Sequence, residues 1–101
     1  MTEYEVIEKL KRLLSAGEVY HVTYYQAVRT AKDGTIQEVE IEVLDRGPED
    51  PHTRYHVTAV AKDGRAASGN SGASLDTVLA TVHWYKLDRI MNIEESGSAV
   101  N

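Results

Sequence analysis

Histidine and carboxylate side chains are the main groups in this sequence that could bind a metal or transfer a proton, because it contains no cysteine. His52 and His56 are four residues apart, a spacing that on a helix would put both on one face. The residues around them alternate as in a strand, however, where positions four apart lie about 13 Å from each other. We therefore expect no metal site here, and the absence of cysteine excludes disulfides, thiolate catalysis and cysteine-ligated metal centres.

Three glutamates occupy alternate positions of one predicted strand, at Glu38, Glu40 and Glu42. Neighbouring carboxylates can act as a general acid and base. Alternation with aliphatic residues is also the ordinary pattern of a strand with one buried and one exposed face, which is the interpretation we prefer. The sequence has no nucleophile elbow, phosphate-binding loop or dinucleotide-binding glycine motif. We therefore predict that the protein is not an enzyme and uses no cofactor.

The composition is that of a small acidic globular domain. The 101 residues include 16 acidic and 11 basic side chains, for a formal net charge of −5. This balance disfavours a general nucleic-acid binder, which brings clustered lysines and arginines to the phosphates. No apolar run approaches the roughly 20 residues of a membrane span, and the first residues are an acidic amphipathic stretch rather than a signal peptide. We expect a cytoplasmic protein that does not enter the membrane.

The first segment is predicted to be an amphipathic helix. Thr2 and Glu5 have the spacing of a capping box, and Gly17 is placed to end the helix in a left-handed conformation. The face predicted to be buried against the sheet carries the apolar residues at helical spacing, Val6, Ile7, Leu10, Leu13 and Leu14.

From Glu18 onward the sequence alternates with a period of two and contains two Asp-Gly turn signals, Asp33-Gly34 and Asp63-Gly64. These features predict four antiparallel strands, the last one short, around Ala66 and Ala67. In the first strand, Tyr20, Val22, Tyr24 and Val28 share one face. Tyr25 is then expected on the opposite, open face of the sheet together with His21 and His56.

A second amphipathic helix is predicted to begin at the N-cap Ser74 and to end near Arg89 or Met91. Its inner stripe is predicted to contain Leu75, Val78, Leu79, Val82 and either Tyr85 or the stem of Lys86. The predicted fold is α+β: a single domain over residues 1–91, in the order helix, four antiparallel strands, helix, with both helices on one face of the sheet. Residues 92–101 are predicted to be a disordered tail.

The stretch from Asp63 to Leu87, with Ser71-Gly72-Ala73-Ser74 before the helix, resembles the C-terminal half of a double-stranded-RNA-binding domain. Gly47-Pro48 followed by His52 is similar to the loop whose histidine enters the minor groove in that family. The resemblance implies the same order of helices and sheet. Leu75 and Asp76 stand where that family has a pair of lysines that bind phosphates, so we do not expect binding to duplex RNA.

A second stretch, Gly69-Asn70 and then residues 73–79, resembles the strand-to-helix corner of HicB-type antitoxin domains. Members of that family bind and silence a toxin, so this resemblance implies a protein partner.

Trp84 is open to two interpretations: it seals the edge of the sheet, or it belongs to a surface that binds a partner. We predict a small interaction domain that binds a protein partner or itself through the open sheet face or the second helix. Alternatives are a diverged RNA-binding domain, a HicB-like antitoxin or an acidic inhibitor protein. The candidate partner-binding residues are Tyr25, Arg29, Arg54, His56, His83 and Trp84.

Overall fold

The computed structural model describes residues 2–89. The elements are α1 (Glu3–Leu14), β1 (His21–Thr30), β2 (Ile36–Asp45), β3 (Tyr55–Ala61), β4 (Ala66–Ser68), α2 (Leu75–Thr81) and a 3-10 helix (Trp84–Asp88). The four strands form one antiparallel sheet in the order β1-β2-β3-β4. The predicted α+β architecture is therefore confirmed. The predicted domain end at residue 91 and the predicted tail over 92–101 lie outside the described residues.

The two Asp-Gly turns have the same geometry. Gly34 and Gly64 have φ angles of 89° and 97°, in the left-handed region that glycine adopts without strain. In each turn the aspartate carboxylate accepts a hydrogen bond of 3.0 Å from the backbone N–H two residues further on. The repeated Lys-Asp-Gly segment thus encodes the same hairpin turn twice.

The core lies between the inner strands and the second helical region. It is built on the face of the sheet that carries the odd-numbered residues of β2 and β3, which we call the helix side. The buried members of this core are Val39, Val43, Val57, Ala59, Ala61, Ala67, Val78, Val82 and Leu87.

The prediction for the two faces of β1 is wrong. Tyr25 is directly opposite Ile41 on the helix side, whereas Tyr24 is opposite Glu42 on the open face. His21 also lies on the helix side, while His56 is opposite Leu44 on the open face. The alternation of residue types does not identify the buried face of β1, because β1 is an edge strand that the helices barely cover. Both of its faces therefore carry exposed apolar side chains.

Helix α1 lies at the end of the sheet where β1 begins and β2 ends. Its predicted capping box is present, with Thr2 Oγ accepting from the Glu5 backbone N–H at 3.2 Å. The left-handed residue at its C-terminus is Ser15 (φ 52°), not Gly17 as predicted.

Most of the apolar stripe of α1 is not covered, contrary to the prediction of a buried helix face. Ile7 is buried, but Leu13 and Leu14 are 69% and 67% exposed. The helix contacts the sheet through its first turns, where the Tyr4 hydroxyl donates to Asp45 at 3.4 Å. This contact lies at one end of the sheet, so the last turn of α1 projects beyond the core.

Helix α2 begins as predicted, with Ser74 Oγ accepting from the Thr77 backbone N–H, but it ends at Thr81 instead of continuing to Arg89 or Met91. Val82 is extended (φ −62°, ψ 139°), and the chain resumes as a 3-10 helix. Because the helix breaks here, the Leu87 side chain packs in the core, where it is 3% exposed, and Tyr85 is left 60% exposed. Burial of Leu87 therefore overrides the continuous helical stripe that the sequence predicted.

None of the helices in the described part of the chain has the length and apolarity needed to cross a membrane.

Candidate functional site

The outer edge of β1 carries backbone groups without a strand partner. In an antiparallel strand, alternate residues direct their N–H and C=O to opposite sides. Lys62 N–H donates to Glu38 O at 2.9 Å, so the even-numbered residues of β2 pair with β3 and its odd-numbered residues pair with β1. The β1 residues whose backbone groups point outward are therefore Val22, Tyr24, Gln26, Val28 and Thr30. No strand within residues 2–89 pairs with this edge.

The side chains along β1 are suited to a protein contact. Tyr24 and Tyr25 are 58% and 57% exposed on opposite faces, and Val28 is 70% exposed. The strand contains no proline, and Arg29 is its only lysine or arginine. Natural edge strands are usually protected against pairing by prolines, free charges or bulges. The edge of β1 has none of these protections along its ten residues.

A groove of about 320 Å³ runs beside β1 on the helix side. Its apolar lining includes Ala27, Ile41, Trp84 and Tyr85. It exists because α2 and the 3-10 helix cover the inner strands and stop short of β1. The groove and the edge of β1 form one continuous candidate surface, which we call the β1 surface.

Arg29 closes one end of the groove. One guanidinium nitrogen donates to the Gln37 side chain, and Nη2 donates to Asp88 Oδ1 at 2.9 Å. The Lys32 backbone N–H donates to the same oxygen at 2.8 Å. This hydrogen bond and the Arg29 charge lower the pKa of Asp88. The predicted partner-binding residue Arg29 thus anchors the 3-10 helix to β1.

Trp84 packs partly buried against the core, and its indole N–H donates to Leu79 O at 2.8 Å. Trp84 therefore packs against the core and also lines the groove beside β1. Tyr85 is the more exposed aromatic side chain, and its ring centre is 5.9 Å from that of exposed His83. The sequence pattern placed either Tyr85 or Lys86 in the inner stripe and so did not identify Tyr85 as a surface residue.

Two of the predicted site residues lie elsewhere. Arg54 is at the opposite end of the sheet, where its Nε donates to Asp45 Oδ1 at 2.8 Å. Its guanidinium lies 4.9 Å and 4.8 Å from the ring centres of Tyr4 and Tyr55. His56 lies on the open face and hydrogen-bonds the Ser71 hydroxyl at 3.2 Å. Of the six predicted residues, the structure brings Tyr25, Arg29 and Trp84 together at the β1 surface, with His83 beside Tyr85 at its rim.

No family model, curated protein or solved structure matches this chain. The role of the β1 surface is therefore inferred from its own geometry and chemistry. Across residues 2–89, no group of three or more histidine, aspartate or glutamate side chains is arranged to hold a metal ion.

The open face beside β1 is acidic. Glu38, Glu40 and Glu42 lie opposite Val28, Gln26 and Tyr24, as the strand register requires. A hydrogen bond to Glu42 raises the pKa of the Tyr24 hydroxyl, because ionised tyrosine would lose that bond and be repelled by the carboxylate.

A second groove, of about 540 Å³, lies between α1 and the loop at Gly47-Pro48. Glu8 and Glu49 meet on its lining. Their mutual hydrogen bond lowers the pKa of Glu8 and raises that of Glu49. The lining of this groove carries more charged side chains than that of the groove beside β1, and it offers no free strand edge.

Proposed function

We propose that this protein is a non-enzymatic interaction domain that binds an extended segment of a protein along the outer edge of β1. The observation that carries the proposal is the unpaired edge itself, with outward backbone groups on five alternate residues. An added strand receives main-chain hydrogen bonds from such an edge, and neighbouring side chains supply specificity.

The side chains around the edge support the same interpretation. Tyr24, Tyr25 and Val28 offer exposed area on both faces of the incoming strand. Tyrosine is enriched at energetically important interface positions because it combines a large apolar surface with a polar group. The adjacent groove, lined by Trp84 and Tyr85, accommodates one or two side chains of that strand.

The alternative of a diverged RNA-binding domain receives less support. Arg29 pairs with Asp88, and Arg54 pairs with Asp45. Arg65 is held between Asp33 and Asp63. Each of these cations is therefore already neutralised by a carboxylate, whereas phosphate binding needs cations directed outward.

The proposal is tested by selecting displayed random peptides against the full chain and measuring hydrogen exchange of the β1 backbone amides. We expect a bound peptide to slow exchange at Tyr24, Gln26 and Val28, whose N–H groups point outward. Gln26→Pro removes one of these donors without breaking a bond to β2 and should weaken peptide binding about tenfold or more. Gln26→Thr, which keeps the N–H and favours a strand, is the matched control.

The proposal is wrong if these amides exchange freely with every selected peptide and at every protein concentration. Labelled duplex RNA at low salt is the competing probe, since electrostatic binding is strongest there. RNA binding that Gln26→Pro leaves unchanged would favour the RNA-binding alternative instead.

A further inference from the structure

We propose that the segment accepted by β1 is the β1 strand of a second copy of this chain, paired antiparallel about a two-fold axis at Gln26. This inference rests on the proposed function and specifies its partner. The axis passes between the two Gln26 residues and stands perpendicular to the sheet. It produces a continuous eight-stranded sheet with the helices of both copies on the same side.

The backbone geometry favours this register. Only even-numbered residues of β1 have outward N–H and C=O groups, so two copies must pair even-numbered residue with even-numbered residue. With Gln26 opposite itself, Val22 lies opposite Thr30, and Tyr24 lies opposite Val28. Five residues of each strand then exchange hydrogen bonds in both directions, and nearly the whole of β1 is used.

The side chains are complementary in the same register. On the open face, each Tyr24 of one copy lies beside Val28 of the other, an aromatic and β-branched pair of the kind that stabilises sheets. On the helix side, Tyr25 lies opposite Ala27, so a large side chain meets a small one. These pairs occur twice in the dimer because a two-fold interface is self-complementary.

Charge does not oppose the pairing, although the chain has a net charge of −5. Arg29 is already paired with Asp88 within its own copy. The acidic side chains Glu38, Glu40 and Glu42 lie one strand in from the edge. The two acidic rows are then separated by three strand spacings, about 14 Å, which exceeds the Debye length at physiological salt.

The chain contains no native cysteine, so single cysteine substitutions report the register directly. Residues that exchange hydrogen bonds across antiparallel strands have Cα atoms about 5.5 Å apart, within the range of a disulfide. Gln26→Cys should therefore form a disulfide-linked dimer on mild oxidation. Tyr24→Cys and Val28→Cys should each fail to link with themselves but should link when mixed.

The strength of the association is measured by sedimentation of the full chain from micromolar to millimolar concentration. We expect a monomer–dimer equilibrium that Gln26→Pro weakens about tenfold or more and that Gln26→Thr preserves. Circular dichroism of each variant confirms that the fold is retained. If Gln26→Pro does not fold, Val28→Lys provides a second test. It removes the β-branched partner of Tyr24 and places a lysine on the edge strand, so it should weaken the dimer.

A chain that remains monomeric at all concentrations overturns the self-pairing, as does a dimer that Gln26→Pro leaves unchanged. Self-linking of Tyr24→Cys in place of Gln26→Cys also overturns the stated register. These experiments distinguish failure of the self-pairing from failure of the proposed peptide-binding function. A monomer whose selected peptides protect the β1 amides contradicts only the self-pairing, whereas a monomer with unprotected β1 amides contradicts both.

Discussion

Arg65 Nη2 lies 2.8 Å from a carboxylate oxygen of Asp33, so the turn of the second hairpin is tied to the turn of the first. The Arg65 Nε also lies 3.2 Å from Asp63 in its own turn, and Nη1 donates to Leu87 O at 3.2 Å. The Arg65 side chain is only 8% exposed. One buried guanidinium therefore holds together both Asp-Gly turns and the 3-10 helix.

Replacing Arg65 should strongly destabilise the protein. Arg65→Met leaves the carboxylates of Asp33 and Asp63 without a cation. Removing one partner of such a buried ion pair should lower the free energy of unfolding by about 2–4 kcal/mol. Urea denaturation measures the loss. Lys62→Met is the matched control, because its ion pair with Glu38 is largely exposed and should contribute less than about 1 kcal/mol. Equal losses in the two variants would contradict the buried role of Arg65.

The stability of the protein should fall in acid because of Asp33. Hydrogen bonds from Thr35 and the Arg65 cation lower the pKa of Asp33 from 3.8 to about 2. A carboxyl group whose pKa is lower in the folded state stabilises the fold above its ordinary pKa, and that contribution is lost as the pH falls toward its folded value. The destabilisation caused by Asp33→Asn should therefore shrink as the pH decreases from about 4 to about 2.

Chemical denaturation at several pH values tests this expectation. Leu13→Ala is the control, since Leu13 is 69% exposed and has no titratable group. Its effect should be the same at each pH. If the destabilisation caused by Asp33→Asn were also the same at every pH measured, that result would contradict the role of the Asp33 carboxylate.

Leu87, rather than Tyr85, should be the core residue of the 3-10 helix. Leu87→Ala leaves a cavity in the core and should cost about 2–5 kcal/mol. Tyr85 is 60% exposed, so Tyr85→Ala should have a much smaller effect on unfolding. Thermal or urea unfolding of the two variants distinguishes the observed structure from a continuous α2 helix, which would bury Tyr85 and reverse the order.

Gly69 should not tolerate a side chain. A Cβ atom there would lie 2.9 Å from Thr81 O and 3.2 Å from Val82 Cα, which are backbone atoms that cannot move aside easily. Gly69→Ala should therefore cost about 1–3 kcal/mol. Gly17→Ala is the matched control because a Cβ at Gly17 meets nothing within 4 Å. A comparable loss at Gly17, measured by urea unfolding, would contradict the close approach at Gly69.

Local patterns in the sequence predicted much of the fold. The capping residues Thr2 and Ser74 and the two Asp-Gly turns were identified correctly, because each depends on a few neighbouring residues. The alternation in β2 also identified its buried face, since that strand lies in the middle of the sheet with α2 on one side only. These elements were enough to predict the order helix, four strands, helix.

Long-range contacts explain where the prediction failed. Gln37 is 2% exposed, and its side chain donates to Leu87 O at 2.8 Å and to Asp63 at 3.1 Å. A single glutamine in a strand does not reveal partners 50 and 26 positions away. The ion pairs Arg29–Asp88 and Arg65–Asp33 likewise join residues that are distant in sequence, so these partners were not foreseen.

The sequence by itself determined the order of helices and strands, the hairpin turns and the absence of cysteine chemistry, because propensity, periodicity and composition are local properties. Only the tertiary structure decided which face of β1 meets the helices, because the register with β2 sets the orientation of Tyr24 and Tyr25. It also decided that α2 stops at Thr81, because packing of Leu87 requires a break. Together these two outcomes leave β1 as a long edge beside an open groove, which is the surface we propose for binding.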